Sequence, residues 1–115
     1  MLHEMKLREI YFNMIKSGEK IYEIRLNDEK RRMIDVGDVI VFKKEPDLTE
    51  SLQTVVEDLI YFDTFSEMIN TLPLDKIGFA GDSKQNIEDV YHSFYPITEE
   101  IKYGVVAIKI KVMKA

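Results

Sequence analysis

Near the C-terminus, Val106, Ile108, Ile110 and Val112 alternate with Ala107, Lys109 and Lys111. Strict alternation over this length reads as a β-strand with one face on a core and the other polar. A chain that carries it must also supply partner strands and a layer to cover the apolar face. The rest of the sequence provides both. Tyr22, Ile24 and Leu26 alternate with Ile21, Glu23 and Arg25, Val39–Phe42 is a continuous apolar run, and Leu52–Tyr61 is rich in β-branched residues. The last two are close enough in sequence to form a hairpin, across a polar connection containing Pro46.

Helical patterns fall between these strands. Leu7, Ile10, Tyr11, Met14 and Ile15 form an apolar stripe that stops at Ser17-Gly18, glycine being the usual residue just past a helix. Asn27-Asp28 reads as the start of a short helix running to about Met33. Thr64 with Glu67 three residues on is a capping box for a helix stopped before Pro73, and Ile87, Val90, Tyr91 and Phe94 repeat the stripe up to Pro96. The order is β-α-β-α-β-β-α-α-β. With no linker, repeat or low-complexity block, residues 1–115 are expected to form a single α+β domain. The expected fold is a mixed, largely antiparallel β-barrel with short helices at its rim.

What the chain lacks narrows the chemistry. It has no cysteine, hence no disulfide, thiolate metal site or thiol nucleophile, and its two histidines are too few for a histidine-rich metal site. Phosphate-loop, dinucleotide, zinc-protease, serine-esterase and EF-hand motifs are absent, so neither cofactor nor metal is expected. No apolar run approaches the roughly 20 residues of a membrane helix, and Met1–Arg8 has no apolar stretch of the signal-peptide kind. The expectation is a soluble, cytoplasmic protein without a membrane partner. The formal charge of −5 argues against coating a DNA duplex. The charge is unevenly spread: residues 46–100 hold twelve acids against Lys76 and Lys84, whereas residues 16–45 hold eight Lys/Arg against seven acids. One basic wall facing a small anionic ligand or a short single strand would fit this spread, and so would an ordinary solvated surface.

The densest group of reactive side chains is Ser17-Gly18-Glu19-Lys20-Ile21-Tyr22-Glu23-Ile24-Arg25. A glycine turn puts Lys20 at the mouth of a strand on which Glu23 and Arg25 share a face. Pointing into a barrel mouth, that face brings together an amine, a carboxylate and a guanidinium. A desolvated lysine can act as base or nucleophile, and arginine offers a planar fork to a carbonyl, carboxylate or phosphate. Pointing outward, it is a surface ion pair of little consequence.

The spacing Gly18-x-Lys20-x-x-Glu23-x-Arg25 resembles the G-x-K-x-x-E-x-R signature of the ASCH domain family. The likeness continues through Leu26–Arg32, Val36-Gly37-Asp38, Phe62-x-x-Phe65-x-Glu67 and Tyr103–Ile108. It implies a PUA-like β-barrel and a link to RNA, with an RNA, nucleoside or nucleotide ligand held around Lys20, Glu23 and Arg25. One bacterial branch of the family hydrolyses the acetyl amide of N4-acetylcytidine with a lysine, a threonine and a distant acid. Lys20 matches that lysine, Glu23 stands in place of the threonine, and Asp82 and Glu88 lie in the region of the acid. Ligand binding is therefore the leading expectation and amide hydrolysis, with Lys20 and Glu23 catalytic, the alternative. Metal-independent RNA cleavage supported by Lys20 and Arg25 is a third.

Other residues have two readings each. Tyr61, Phe62 and Phe65 could stack a base, but such clusters are more often core. Lys30-Arg31-Arg32 could touch phosphates or form the polar face of a short helix. Lys109 and Lys111 read as edge protection, His92 as a surface or capping residue, and the six methionines as core filler.

Overall fold

In the computed structural model of the chain, which describes residues 1–113, the strands are β1 (Leu2–Leu7), β2 (Tyr22–Leu26), β3 (Val39–Lys44), β4 (Ser51–Phe62) and β5 (Val105–Val112). The helices are α1 (Glu9–Ser17), α2 (Phe65–Thr71), α3 (Lys84–Phe94) and α4 (Ile97–Tyr103). The strands form one sheet in the order β1-β3-β4-β5-β2. Only β1 and β3 run parallel among the described residues. The sheet curls into a half-barrel, the mixed α+β architecture expected from the sequence. Its two edges, β1 and β2, leave a seam.

Two apolar clusters hold the sheet from opposite sides. Val106, Ile108, Ile110 and Val112 join Met5, Leu7, Phe12, Ile15, Ile40, Phe42 and Val56 in one. Val105 and Ala107 face the other, with Phe62, Phe65, Met68, Ile87 and Tyr91 of the strand end and helices. Over Val105–Ile108 the alternation in β5 therefore selects between two cores, and from Lys109 onward between core and solvent. It follows that Lys109 and Lys111 do not guard an edge, because β5 lies between β4 and β2.

The helix expected from Asn27 reduces to a 3-10 turn at Arg31–Met33, in which the Asp28 carboxylate accepts from Arg31 N at 3.0 Å. The Thr64 cap forms as expected, its hydroxyl accepting from Glu67 N at 3.1 Å. Met5 and Met68 are core, whereas Met1, Met33 and Met113 are exposed.

Helix α4 is the element the sequence pattern conceals. Pro96, which cannot continue α3, serves as the N-terminal cap of α4, where its N needs no intrahelical partner. The helix is inverted in polarity, with Ile97 and Ile101 exposed and Glu100 buried. One Glu100 oxygen accepts from Phe65 N at 2.7 Å and the other meets His92 Nε2 at 2.8 Å. His92 thus bridges α3 to α4. Gly104, which follows α4 at φ 72°, lets the chain enter β5: a Cβ there would lie 3.0 Å from the Phe62 carbonyl.

Replacing Glu100 by alanine strands the buried Phe65 N–H and is expected to cost about 1–3 kcal/mol. Replacing Ile101, 77% exposed, should change stability by no more than about 0.5 kcal/mol. Urea unfolding of both variants checks this, and the reverse order would contradict the inverted helix.

Candidate functional site

The chain reaches the site through the turn after α1. Gly18, at φ 86°, closes the helix with its N–H on the Ile15 carbonyl. Lys20 N then bonds back to the Met14 carbonyl at 3.0 Å, and the Ile21 and Tyr22 amides share the Lys76 carbonyl of the segment between α2 and α3. That segment lies across the start of β2 and covers Lys20. Gly78 makes the close approach feasible: a Cβ on it would sit 3.2 Å from Lys20 Cδ and 3.3 Å from Met14 Sδ.

Lys20, Glu23 and Arg25 converge. Arg25 Nε donates to Glu23 Oε2 at 2.8 Å, and Lys20 Nζ lies 3.4 Å from Glu23 Oε1. Lys20 Nζ also donates to the Ile77 carbonyl at 3.0 Å. Lys20 and Glu23 are buried and Arg25 is half-buried, so the pair is no surface ornament. Arg25 Nη2 goes further and donates to the Lys6 carbonyl at 3.0 Å. A side chain on β2 thereby bridges to β1, across the seam that the backbone ladder leaves open.

Two cations share one buried anion. For Glu23, burial alone would raise the carboxyl pKa, but Arg25, then Lys20, and the hydrogen bonds from both hold it below the ordinary value. For Lys20 burial prevails: its pKa is lowered, Glu23 opposing the shift and Arg25 adding to it. Arginine cannot give up its proton, so lysine is the member whose proton is held less firmly.

Above the triad is a cleft of about 340 Å³, bordered by Tyr11 of α1, Phe79, and Val90, Tyr91, Phe94 and Tyr95 at the end of α3. Lys6, Arg8 and Glu45 complete its rim. The Tyr91 and Tyr95 rings stack on Phe65 at centroid distances of 4.8 and 5.6 Å, and the Arg8 guanidinium lies 4.6 Å over the Phe94 ring. Sequence periodicity had assigned Tyr11, Tyr91 and Phe94 to core stripes. The available signal was the aromatic density of Tyr91-x-x-Phe94-Tyr95, without anything to say what it faced.

The other candidates lie elsewhere. Asp82 lies just before α3, which Ser83 caps, and accepts from Ser83 N and the Asn86 side-chain amide. Neither it nor Glu88 borders the cleft, whose carboxylates are Glu23 and Glu45. Phe62 and Phe65 are core, and exposed Tyr61 borders a different groove with Tyr103 and Ile101. Lys30 and Arg32 are exposed, while half-buried Arg31 has its pKa lowered by burial and by the Arg25 charge.

Charge sharing sets an order of stabilities. Glu23→Gln leaves two buried cations without an anion and is expected to cost about 3–5 kcal/mol, whereas Lys20→Met removes the under-compensated charge and should cost less. Between its lowered folded pKa and its ordinary 10.5, Lys20 binds fewer protons folded than unfolded. Wild-type stability should therefore rise relative to Lys20→Met as pH climbs through that window. Denaturant unfolding of both proteins between pH 6 and 10 gives this difference, and parallel profiles would refute the charge-sharing account.

The sequence pattern described as the ASCH domain matches residues 5–114. The crystal structure of the hypothetical protein PH0355 is similar at 37% identity and a TM-score of 0.88, covering 98% of this chain and 100% of that one. The solution structure of PF0455 from Pyrococcus furiosus gives 36% identity and 0.81, covering 100% of both chains. The ASCH domain from Lactobacillus crispatus, at 16% identity and 0.61 over 96% of this chain and 79% of its own, shares the fold. No curated protein matches the chain at a significant level. Among the described residues no helix is long and apolar enough to cross a membrane. The chain belongs to the ASCH domain family, whose fold is PUA-like.

Proposed function

We propose that the cleft binds an RNA- or nucleoside-type ligand by taking in one base. The observation that carries this reading is the pairing of an aromatic wall with a charged floor: Tyr11, Phe79, Tyr91, Phe94 and Tyr95 stand around Lys20, Glu23 and Arg25. Aromatic faces stack on any base, and fixed polar groups at the bottom orient its edge. The size fits one nucleoside, since small-molecule pockets begin at about 300 Å³. Arg25 has its fork held by Glu23 on one side and the Lys6 carbonyl on the other, which fixes the direction of its remaining N–H groups. In this reading Arg25 orients the polar edge of the base and Lys20 meets a carbonyl or phosphate oxygen.

A second reading is favoured by the lowered pKa of Lys20. A lysine that loses its proton readily can act as general base on water. Applied to N4-acetylcytidine, Lys20 takes a proton from the attacking water and Arg25 stabilises the oxyanion on the former carbonyl. The C–N bond then breaks, Lys20 returns the proton to the leaving amine, and acetate and cytidine result. Glu23 serves as the positioning carboxylate, because Asp82 and Glu88 are not at the cleft.

Calorimetric titration with cytidine and a short single-stranded RNA, beside loss of the acetyl chromophore from N4-acetylcytidine, tests both readings. Saturable binding is expected. Arg25→Lys keeps the charge and loses the fork, and should weaken binding by about tenfold or more. Acetyl loss abolished in Lys20→Ala supports hydrolysis, and binding without turnover leaves the binding module alone. Absence of binding by any of the three ligands sinks both.

A further inference from the structure

The floor of the cleft is unbalanced in hydrogen-bond type as well as in charge. Its one buried acceptor, Glu23, already has an oxygen engaged by each neighbouring cation. What remains is donors. Arg25 uses Nε and Nη2 within the protein, and its Nη1 makes no hydrogen bond among the described residues. Lys20 has three ammonium protons, of which the Ile77 carbonyl and Glu23 take two.

Tyr91 adds an independent observation. It borders the cleft and is 7% exposed. Its ring is fixed by stacking on Phe65, with an interplanar angle of 4°. Yet its hydroxyl hydrogen-bonds to no protein group among the described residues, although it stands close enough to Glu23 to feel that charge. The hydroxyl oxygen is not among the buried polar atoms left without a partner, so it opens on the cleft, where a ligand can reach it. Burial keeps the hydroxyl protonated well beyond neutral pH, so it is available in the cleft as a donor. The rim repeats the bias. There Lys6 and Arg8 stand against Glu45, in a chain whose net charge is −5.

We propose that the cleft selects a ring-bearing ligand whose inner end is an oxyanion, a carboxylate or phosphate monoester, and that the Tyr91 hydroxyl is a specificity-determining donor to it. An oxyanion accepts only, matching Tyr91, Arg25 Nη1 and the free Lys20 proton together. It also neutralises the excess positive charge of the triad, which a neutral base edge does not. This inference rests on the cleft being the ligand site and sharpens which nucleoside-type ligand enters it.

Matched pairs of probes separate charge from ring: uracil against its 6-carboxylate, orotate, and uridine against uridine 5′-monophosphate, each titrated calorimetrically into wild type and Tyr91→Phe. Phenylalanine keeps the ring and its stacking, and circular dichroism confirms the fold. In wild type the anionic member of at least one pair is expected to bind about tenfold tighter or more, and the pair that responds identifies carboxylate or phosphate. Tyr91→Phe should remove most of that preference, about tenfold for a hydrogen bond to a charged group, while changing the neutral member no more than about twofold. Neutral and anionic members binding alike, or both weakened equally by Tyr91→Phe, overturns the inference and leaves nucleoside binding intact. Benzoate, a ring with a carboxylate but no base, separates the two in the other direction. Benzoate binding that depends on Tyr91, with all four pyrimidines silent, keeps the oxyanion site and removes the nucleoside reading. Silence from all five probes removes both.

Discussion

The Glu23 carboxylate is the contact on which the remainder of the site depends. Its desolvation is tolerable only because two cations reach it, and those cations are tolerable only because it is there. The consequence spreads beyond the three side chains. Arg25, steered through its Nε, reaches the Lys6 carbonyl and links the two edge strands of a sheet that does not close by its own ladder. Lys20, drawn inward, seats the segment containing Ile77 and Gly78 over the start of β2. An ion cluster that would contribute little on the surface thus decides where the half-barrel stays open and what covers it.

A second chain of contacts fixes the wall opposite. Glu100, buried on an otherwise exposed helix, holds His92 with one oxygen and the first amide of α2 with the other. That amide belongs to Phe65, on whose ring Tyr91 and Tyr95 stack. The aromatic side of the cleft is therefore located by a polar contact outside it, and the charged side by one within it. Both use a carboxylate with its two oxygens engaged separately: Glu100 joins α2 to α3, and Glu23 holds two cations that reach on to the Lys6 and Ile77 carbonyls, a device that gives position rather than strength. Rigid placement of this kind is what a recognition site requires.

Much of this was legible in the chain because period-2 and period-3.6 patterns are local. The alternation at Val106–Val112, the apolar run at Val39–Phe42, the glycine stop at Gly18 and the Thr64 cap each carry their own physical cause and reappear in the structure. The signature spacing put Glu23 and Arg25 on one face with Lys20 at the mouth of the strand, although it could not tell an inward face from an outward one. What escaped was non-local or inverted. Helix α4 hides its polar residue and shows its apolar ones, so a rule that seeks an apolar stripe passes over it. The cleft walls come from α1, α3 and the segment before α3, brought together only by tertiary packing. Asp82 and Glu88 lie in the right stretch of sequence, yet neither borders the cleft, and Asp82 spends its carboxylate on Ser83 N and the Asn86 side chain.

The choice between holding a ligand and transforming it turns on position 23. A hydroxyl beside Lys20 would leave the amine to its desolvation, and the proton would come off easily. A carboxylate restores some of the proton's hold, and Arg25 then takes part of that back by claiming the shorter contact, 2.8 Å against 3.4 Å. The resulting lysine is depressed yet still paired, and its state is open to adjustment by whatever enters the cleft. An oxyanion on the floor favours the ammonium and makes the triad a binding site. A neutral amide carbonyl supplies no such charge and leaves the lysine proton less firmly held. In the two proposed readings the same three residues serve recognition or proton transfer, with the charge of the ligand, rather than any rearrangement of the fold, deciding between them.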